Sequence, residues 1–226
     1  MKGKIIAIEG TDGSGKGLQS NLLVSSLQEM GIPARRLSFP DYATPTGQII
    51  GECLIGLDEF GDYPWFEKPG EVDPLVAAAY YAADRRYNID KILKPLNQGY
   101  NLVLDRYVYS NMAHQGGKVP DKVERLKVYK KLELLEFEVM GLPRPDDTYY
   151  LSMPYDYSEI LRLKRGYRDK IESDRTYMIN SDKAYNELTD IYGFVKINCV
   201  KDDEIRKAED IHQELVSKVL KKTFNR

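Results

Sequence analysis

Two periods of apolar residues alternate along the chain. Ile5-Ile6-Ala7-Ile8 is a continuous apolar run of strand length, and Leu18, Leu22, Leu27 and Met30 then recur at helical spacing. That helix is expected to end near Gly31, with Pro33 beyond it, and residues 34–39 read as a second strand closed by Pro40-Asp41-Tyr42. A short helix is expected over 47–57, then a loop through Gly61, Pro64, Pro69 and Gly70 in which Trp65 is an anchor. Asp73-Pro74 is an N-cap followed by proline at the first helical position, and the helix should run to about Leu93, where Lys94-Pro95 stops it. Residues 101–104 form a third strand. Residues 121–140 carry Val128, Leu132, Leu135 and Val139 as a helical stripe, either core or a dimer face, and 147–151 form a fourth strand. A helix over 182–192, a strand over 194–197 and a closing helix over 203–221 complete the pattern.

Strand and helix signals that alternate from end to end predict an α/β fold, a three-layer unit with a five-stranded parallel sheet and helices on both faces. With 226 residues and no internal repeat, the chain is expected to be one domain over residues 1–226. Lys plus Arg total 33 against 35 Asp plus Glu, a net charge of −2 that gives no general case for a nucleic-acid or membrane surface. The N-terminus lacks the pattern of a signal peptide and no apolar run reaches membrane-span length, so a soluble, intracellular, cytoplasmic protein is expected. Cys53 and Cys199 have no ligand spacing and read as two buried thiols. With His114 and His212 the only histidines, neither a metal-ligand cluster nor a histidine dyad is expected.

The chemistry is concentrated after the first strand. Gly10, four residues, then Gly15-Lys16 fits the G-x-x-x-x-G-K part of the P-loop pattern, in strand-to-helix context. Glycines let backbone N–H groups turn onto phosphate oxygens, the helix N-terminus adds positive potential, and Lys16 supplies a mobile charge. This predicts a nucleoside triphosphate site on a P-loop NTPase fold. Gly17 stands where Ser or Thr normally offers a hydroxyl to Mg²⁺, leaving phosphate oxygens, water and a carboxylate from another strand to hold the ion. Ligands of open α/β sheets sit beyond the carboxyl ends of the strands, so Asp105-Arg106 and Pro40-Asp41-Tyr42 are expected to converge on this loop. Asp105 suits a phosphate-bound Mg²⁺, directly or through water, and Arg106 a phosphate fork. Tyr81 and Arg85 share a helix face at four-residue spacing, either a ligand pair or tyrosine packed under an arginine stem. Arg162, Lys164, Arg165, Arg168, Lys170 and Arg175 form the one basic concentration, a solvated helix face or a lid over residues 156–174 that brings arginines onto phosphoryl oxygens.

Taken in order, Glu9 through Lys16, Phe39-Pro40-Asp41-Tyr42, Tyr81 with Arg85, Asp105 through Asn111, and the lid stretch Arg165-Gly166 with Asp169 through Glu172 resemble the thymidylate kinase family of P-loop nucleoside monophosphate kinases. The resemblance extends from Ile5 to about Leu220. It implies transfer of the ATP γ-phosphoryl to dTMP with Mg²⁺, a small-molecule acceptor and a homodimer. The donor would be held by Gly10, Thr11, Asp12, Gly13, Ser14, Gly15, Lys16, Gly17 and Leu18, with Arg162 and Arg168. Tyr81 would stack on the pyrimidine and Arg85 bond a base carbonyl, while Ser110, Asn111 and Gln115 line the base beside Phe39. Asp12 would lie near the 3′-hydroxyl, Arg106 and Tyr42 at the acceptor phosphate, and Asp105 at Mg²⁺. The P-loop stretch Gly13-Ser14 lacks the arginine some members carry, so Arg165 inherits that charge. Gly17, Tyr42 (often arginine) and Lys170 (often arginine) depart from the family pattern. A deoxynucleoside kinase and a non-catalytic nucleotide-binding homologue are the alternatives, the second resting on Gly17 alone.

Overall fold

A computed structural model describes residues 2–56, 66, 68–165 and 174–225. Five parallel strands form its sheet: β1 (Ile5–Glu9), β2 (Ala34–Ser38), β3 (Asn101–Asp105), β4 (Asp147–Ser152) and β5 (Val195–Asn198), in the order β2-β3-β1-β4-β5. Alternate residues of β1 explain the three layers. Ile6 and Ile8 pack with Leu23 and Leu27 of α1 (Lys16–Glu29) and Leu215 of α9 (Ala208–Thr223). Ile5 and Ala7 join the opposite cluster, with Met112, Leu132 and Leu188 from helices on the other face. Strands buried on both faces need this continuous apolar run, which is why β1 is legible as a strand despite lacking alternation.

Between β2 and β3 lie α2 (Pro45–Ile49), extended by a π-helical stretch over Ile50–Ile55, then α3 (Pro74–Tyr87) and α4 (Ile89–Asn97). After β3 come α5 (Val108–Gly116) and α6 (Lys122–Glu133), the latter continued by a π-helical stretch over Leu134–Val139. α7 (Tyr155–Arg165) and α8 (Arg175–Tyr192) connect β4 to β5. Register fixes the working edge: Ser38 pairs with Asp105, and Asp105 with Ile8, so the carboxyl ends of β2, β3 and β1 finish level with one another.

Four expectations need correction. The helix begun at Asp73-Pro74 does not run to Leu93; it breaks at Asn88, whose side-chain amide donates to the Asp84 carbonyl and carboxylate at 3.0 and 3.1 Å, and a new helix starts at Ile89. Pro95 does not stop that helix: it sits in the last turn, buried beside Ile92 and Leu96, where losing one N–H is offset by packing. α8 starts seven residues before the expected 182, with Asp174 accepting from Tyr177 N at 2.9 Å, because Tyr177, Met178, Ser181, Ala184, Tyr185 and Leu188 make one continuous buried stripe. Asp203, expected to begin the closing helix, instead forms a turn with Asp202: the two adopt φ of 58° and 52° and join a small hairpin of β6 (Val200–Lys201) and β7 (Glu204–Ile205); α9 begins at Ala208. In α6 the buried face is Tyr129, Leu132, Glu136 and Phe137, while Val139 is exposed and Leu135 half-buried. Trp65 lies outside the described residues. Cys53 and Cys199 are buried and free, as expected.

The two sides of α1 give a stability test. Leu23 is fully buried and Leu18 half-exposed. Leu23→Ala is expected to lower the unfolding free energy by about 2–5 kcal/mol, and Leu18→Ala by less than about 0.5 kcal/mol, in urea titrations.

Candidate active site

The turn from β1 into α1 is shaped by close approach. A Cβ on Gly10 would lie 2.6 Å from Ser14 Oγ and 2.8 Å from the Leu151 carbonyl oxygen, and one on Gly13 would lie 2.6 Å from the Ser158 carbonyl oxygen. Only glycine fits at either position. Lys16 opens α1 and its Nζ donates to Thr11 O at 2.7 Å, folding the amine back over the loop. Burial, then repulsion from Arg106, lowers the Lys16 pKa to about 8. The Thr11 and Ser14 hydroxyls are buried without a hydrogen-bond partner among the described residues. Leu18, further along the turn, is exposed.

Gly13 is covered by α7, and that contact delivers Arg162. Its Nη1 donates to Asp12 O at 3.0 Å and Ser158 Oγ at 2.7 Å, with the guanidinium 5.0 Å from the Tyr155 ring centroid. Its Nε and Nη2 are buried without a partner among the described residues. A buried guanidinium with unspent N–H groups beside a phosphate loop suits an anion that is itself desolvated. Arg162 is thus brought to the loop, as expected of a lid arginine; the Arg165 side chain, Arg168 and Lys170 lie outside the described residues.

Arg106 follows β3 in the left-handed conformation, φ 66°, and its guanidinium crosses to the loop. Nη2 forms an ion pair with Asp12, and Nη1 donates to Ser110 Oγ at 3.2 Å, His114 Nε2 at 3.2 Å and Gly10 O at 3.3 Å. Burial pushes the Asp12 carboxyl up, but Arg106 and Lys16 more than offset it and hold it well below the usual carboxylate range. Beneath them Glu9 is fully buried, accepting from Tyr107 N at 2.9 Å and Ser110 Oγ at 2.5 Å, and burial raises its pKa. Asp105 ends β3 with its Oδ2 on Arg36 Nη2 at 2.5 Å.

Next to the loop lies a cleft lined by Asp12, Phe39, Tyr42, Tyr81, Arg85, Arg106, Ser110, Asn111 and Gln115, all expected from the sequence, together with Pro40, Ile55, His114 and Tyr177. The Phe39–Tyr42 wall is anchored by buried Asp84, which accepts from Asp41 N at 2.9 Å and Thr46 Oγ1 at 2.8 Å. Arg85 is held by a carboxylate from a distant helix. Its Nε donates to Glu136 Oε2 at 2.7 Å and its Nη2 pairs with Oε1, a fully buried fork. Glu136 Oε1 also accepts from Asn111 Nδ2 at 2.7 Å, which fixes the amide so that Nδ2 faces the carboxylate. Asn111 Oδ1 and Gln115 Oε1 are buried acceptors without partners among the described residues.

Glu9, Arg36, Glu136 and His114 were not singled out from the sequence as site residues. Glu9 and Glu136 each carried one available signal, a carboxylate in line with buried positions of an apolar run or stripe. Among the described residues no group of three or more His, Cys, Asp or Glu is arranged to hold a metal ion.

Two predictions follow from these buried charges. Glu136→Ala leaves the Arg85 guanidinium buried and unpaired, and is expected to lower stability by about 3–5 kcal/mol in urea unfolding. Enclosure, then Arg106, lowers the His114 pKa from 6.5 to about 3. The unfolded chain therefore takes up a proton that the folded one refuses, and stability falls as pH drops through this window. His114→Phe should flatten that fall between pH 6.5 and 5 by up to about 1.4 kcal/mol per pH unit. Parallel curves for the two proteins would contradict this.

The comparisons with known proteins agree with this geometry. The thymidylate kinase family model matches residues 8–214. A thymidylate kinase of Dictyostelium discoideum is 28% identical over 224 residues, covering 92% of this chain and 89% of that one. A thymidylate kinase of Prochlorococcus marinus strain MIT 9312 is 34% identical over 175 residues, covering 77% of each. The solved thymidylate kinase of Candida albicans superposes with a TM-score of 0.71 over 99% of this chain and 93% of that one, at 24% identity. With the P-loop, the level strand ends and the cleft walls in the expected order, the chain belongs to the thymidylate kinase family.

Proposed function

We propose that the protein transfers the γ-phosphoryl group of ATP to the 5′-phosphate of dTMP, giving dTDP and ADP for dTTP supply. The observation that carries the reading is the Arg106–Asp12 ion pair, which joins the triphosphate loop to a cleft ending in unspent acceptors. Thymine offers an N3–H donor between two carbonyls, complementary to Asn111 Oδ1 or Gln115 Oε1. Cytosine offers an acceptor at N3 and would leave those oxygens unpaired. Arg85 spends two of its five N–H groups on Glu136 and keeps others for a base carbonyl. Tyr81 stacks on the ring, with Phe39 and Tyr42 beside it, and Ser110 supports Arg106 from below. Asp12 receives the 3′-hydroxyl.

The acceptor phosphate is already anionic, so no general base is required; an oxygen of dTMP attacks the γ-phosphorus as the bond to the β,γ-bridging oxygen breaks. Arg106 holds the acceptor phosphate, and Lys16, the loop N–H groups and Arg162 hold the donor, with Arg165 and Arg168 further donors from the lid. Mg²⁺ bound with ATP would supply charge neutralisation to the phosphates; Asp105, the carboxylate that the family resemblance assigns to it, is paired with Arg36. Exposed Val123, Leu134 and Val139 on the α6 segment support a homodimer. No helix among the described residues is long and apolar enough to cross a membrane, in keeping with a cytoplasmic enzyme.

Coupled ADP release with ATP and Mg²⁺ tests the reading. We expect kcat/KM for dTMP to exceed that for dCMP by at least about a hundredfold, and Lys16→Ala or Arg106→Ala to lower it by about 10²–10³. Turnover of thymidine in preference to dTMP would move the protein to the nucleoside-kinase reading.

A further inference from the structure

Position 17 lies in the first turn of α1, where a P-loop hydroxyl normally meets the phosphate-bound metal. A Cβ built on Gly17 would lie 3.4 Å from Asp105 Oδ2 and 3.8 Å from Arg36 Nη2. These are ordinary contacts, so sterics do not demand glycine. What distinguishes the site is that its nearest carboxylate is already engaged. Arg36 Nη2 bonds Asp105 Oδ2 at 2.5 Å, Arg36 Nε donates to Ser20 Oγ at 2.7 Å, and Ser20 Oγ donates to Gly17 O at 3.1 Å. The guanidinium is therefore tied at two points, one to the strand end and one to the helix that carries position 17. Arg36 reaches there because it sits two residues after buried Ala34 on the face of β2 that α1 covers. The donor set does not make a usual P-loop Mg²⁺ site: the hydroxyl is missing and the carboxylate is paired.

We propose that Arg36 is a built-in cation that takes the protein's share of the metal's role beside the triphosphate. It neutralises Asp105, which would otherwise repel the donor phosphates, and it leaves Mg²⁺ without a protein carboxylate to bind. The ion then travels with the nucleotide on phosphate oxygens and water, and the protein gains little from it. This rests on the ATP site proposed above.

Isothermal titration of ADP in EDTA and at saturating Mg²⁺ tests the idea without turnover. The wild-type protein should bind ADP within about threefold of equally under the two conditions. In Arg36→Leu, Asp105 is freed to repel bare phosphate and to accept metal, so the ratio of affinities with and without Mg²⁺ should rise at least about tenfold. Arg36→Gln, which keeps a donor for Ser20 without the charge, provides the same test should leucine disturb folding. In Arg36→Leu/Asp105→Asn the ratio should return towards wild type. A metal dependence of about tenfold or more in the wild type, or a ratio unmoved by either substitution, would overturn the proposal. Absence of ADP binding by the wild type under both conditions would instead remove the ATP site itself, and the proposal with it.

Discussion

The contact between Arg106 and Asp12 is the constraint on which the site depends. It reaches from the end of β3 to the loop after β1, two segments that are neighbours only because those strands pair. The arginine adopts a left-handed backbone to do so, and its guanidinium is spread over a loop carbonyl, Ser110 and His114. A partly buried ion pair of this kind contributes little net stability, yet losing one partner strands the other. Its value is geometric: the same two side chains border the phosphate loop and the cleft.

The charges around the loop do not cancel. Glu9, Asp12 and Asp105 face Lys16, Arg36, Arg106 and Arg162, so the cations outnumber the carboxylates even with Glu9, whose pKa is raised by burial, counted among them. The Lys16 amine sits at a lowered pKa, and two Arg162 nitrogens have no partner among the described residues. Each is a cost that an incoming polyanion relieves. The cleft has the complementary deficit. Glu136 takes two of the five Arg85 N–H groups and one of the Asn111 amide's, and the buried groups left unsatisfied on that wall among the described residues are the acceptors Asn111 Oδ1 and Gln115 Oε1.

The phosphate loop, Asp105-Arg106 and Tyr81 were legible in the sequence because the chemistry demands particular residue types at fixed local spacing. The central strands β1 and β3 were legible for a similar reason, since strands buried on both faces must be largely apolar. What local pattern cannot carry is pairing across long separations. Arg85 and Glu136 lie 51 residues apart, Arg36 and Asp105 69, and neither pair shares an element. Lys94-Pro95 misled because packing against the core outweighed proline's local preference. Asp203 misled because a helix-capping residue type and a hairpin turn draw on the same side chains. The start of α8 was hidden by a charge run, although Tyr177 and Met178 already belonged to its buried stripe.

The central claim is that one chain holds the ATP phosphates and a thymine nucleotide end to end across Arg106 and Asp12. Calorimetric titration with a bisubstrate compound, thymidine and adenosine joined 5′ to 5′ through a polyphosphate, tests it most directly. The account predicts one molecule bound per chain, at least about a hundredfold more tightly than ATP or dTMP alone, because joining two occupied subsites makes the second binding intramolecular. Affinity no better than that of the stronger single ligand would contradict it.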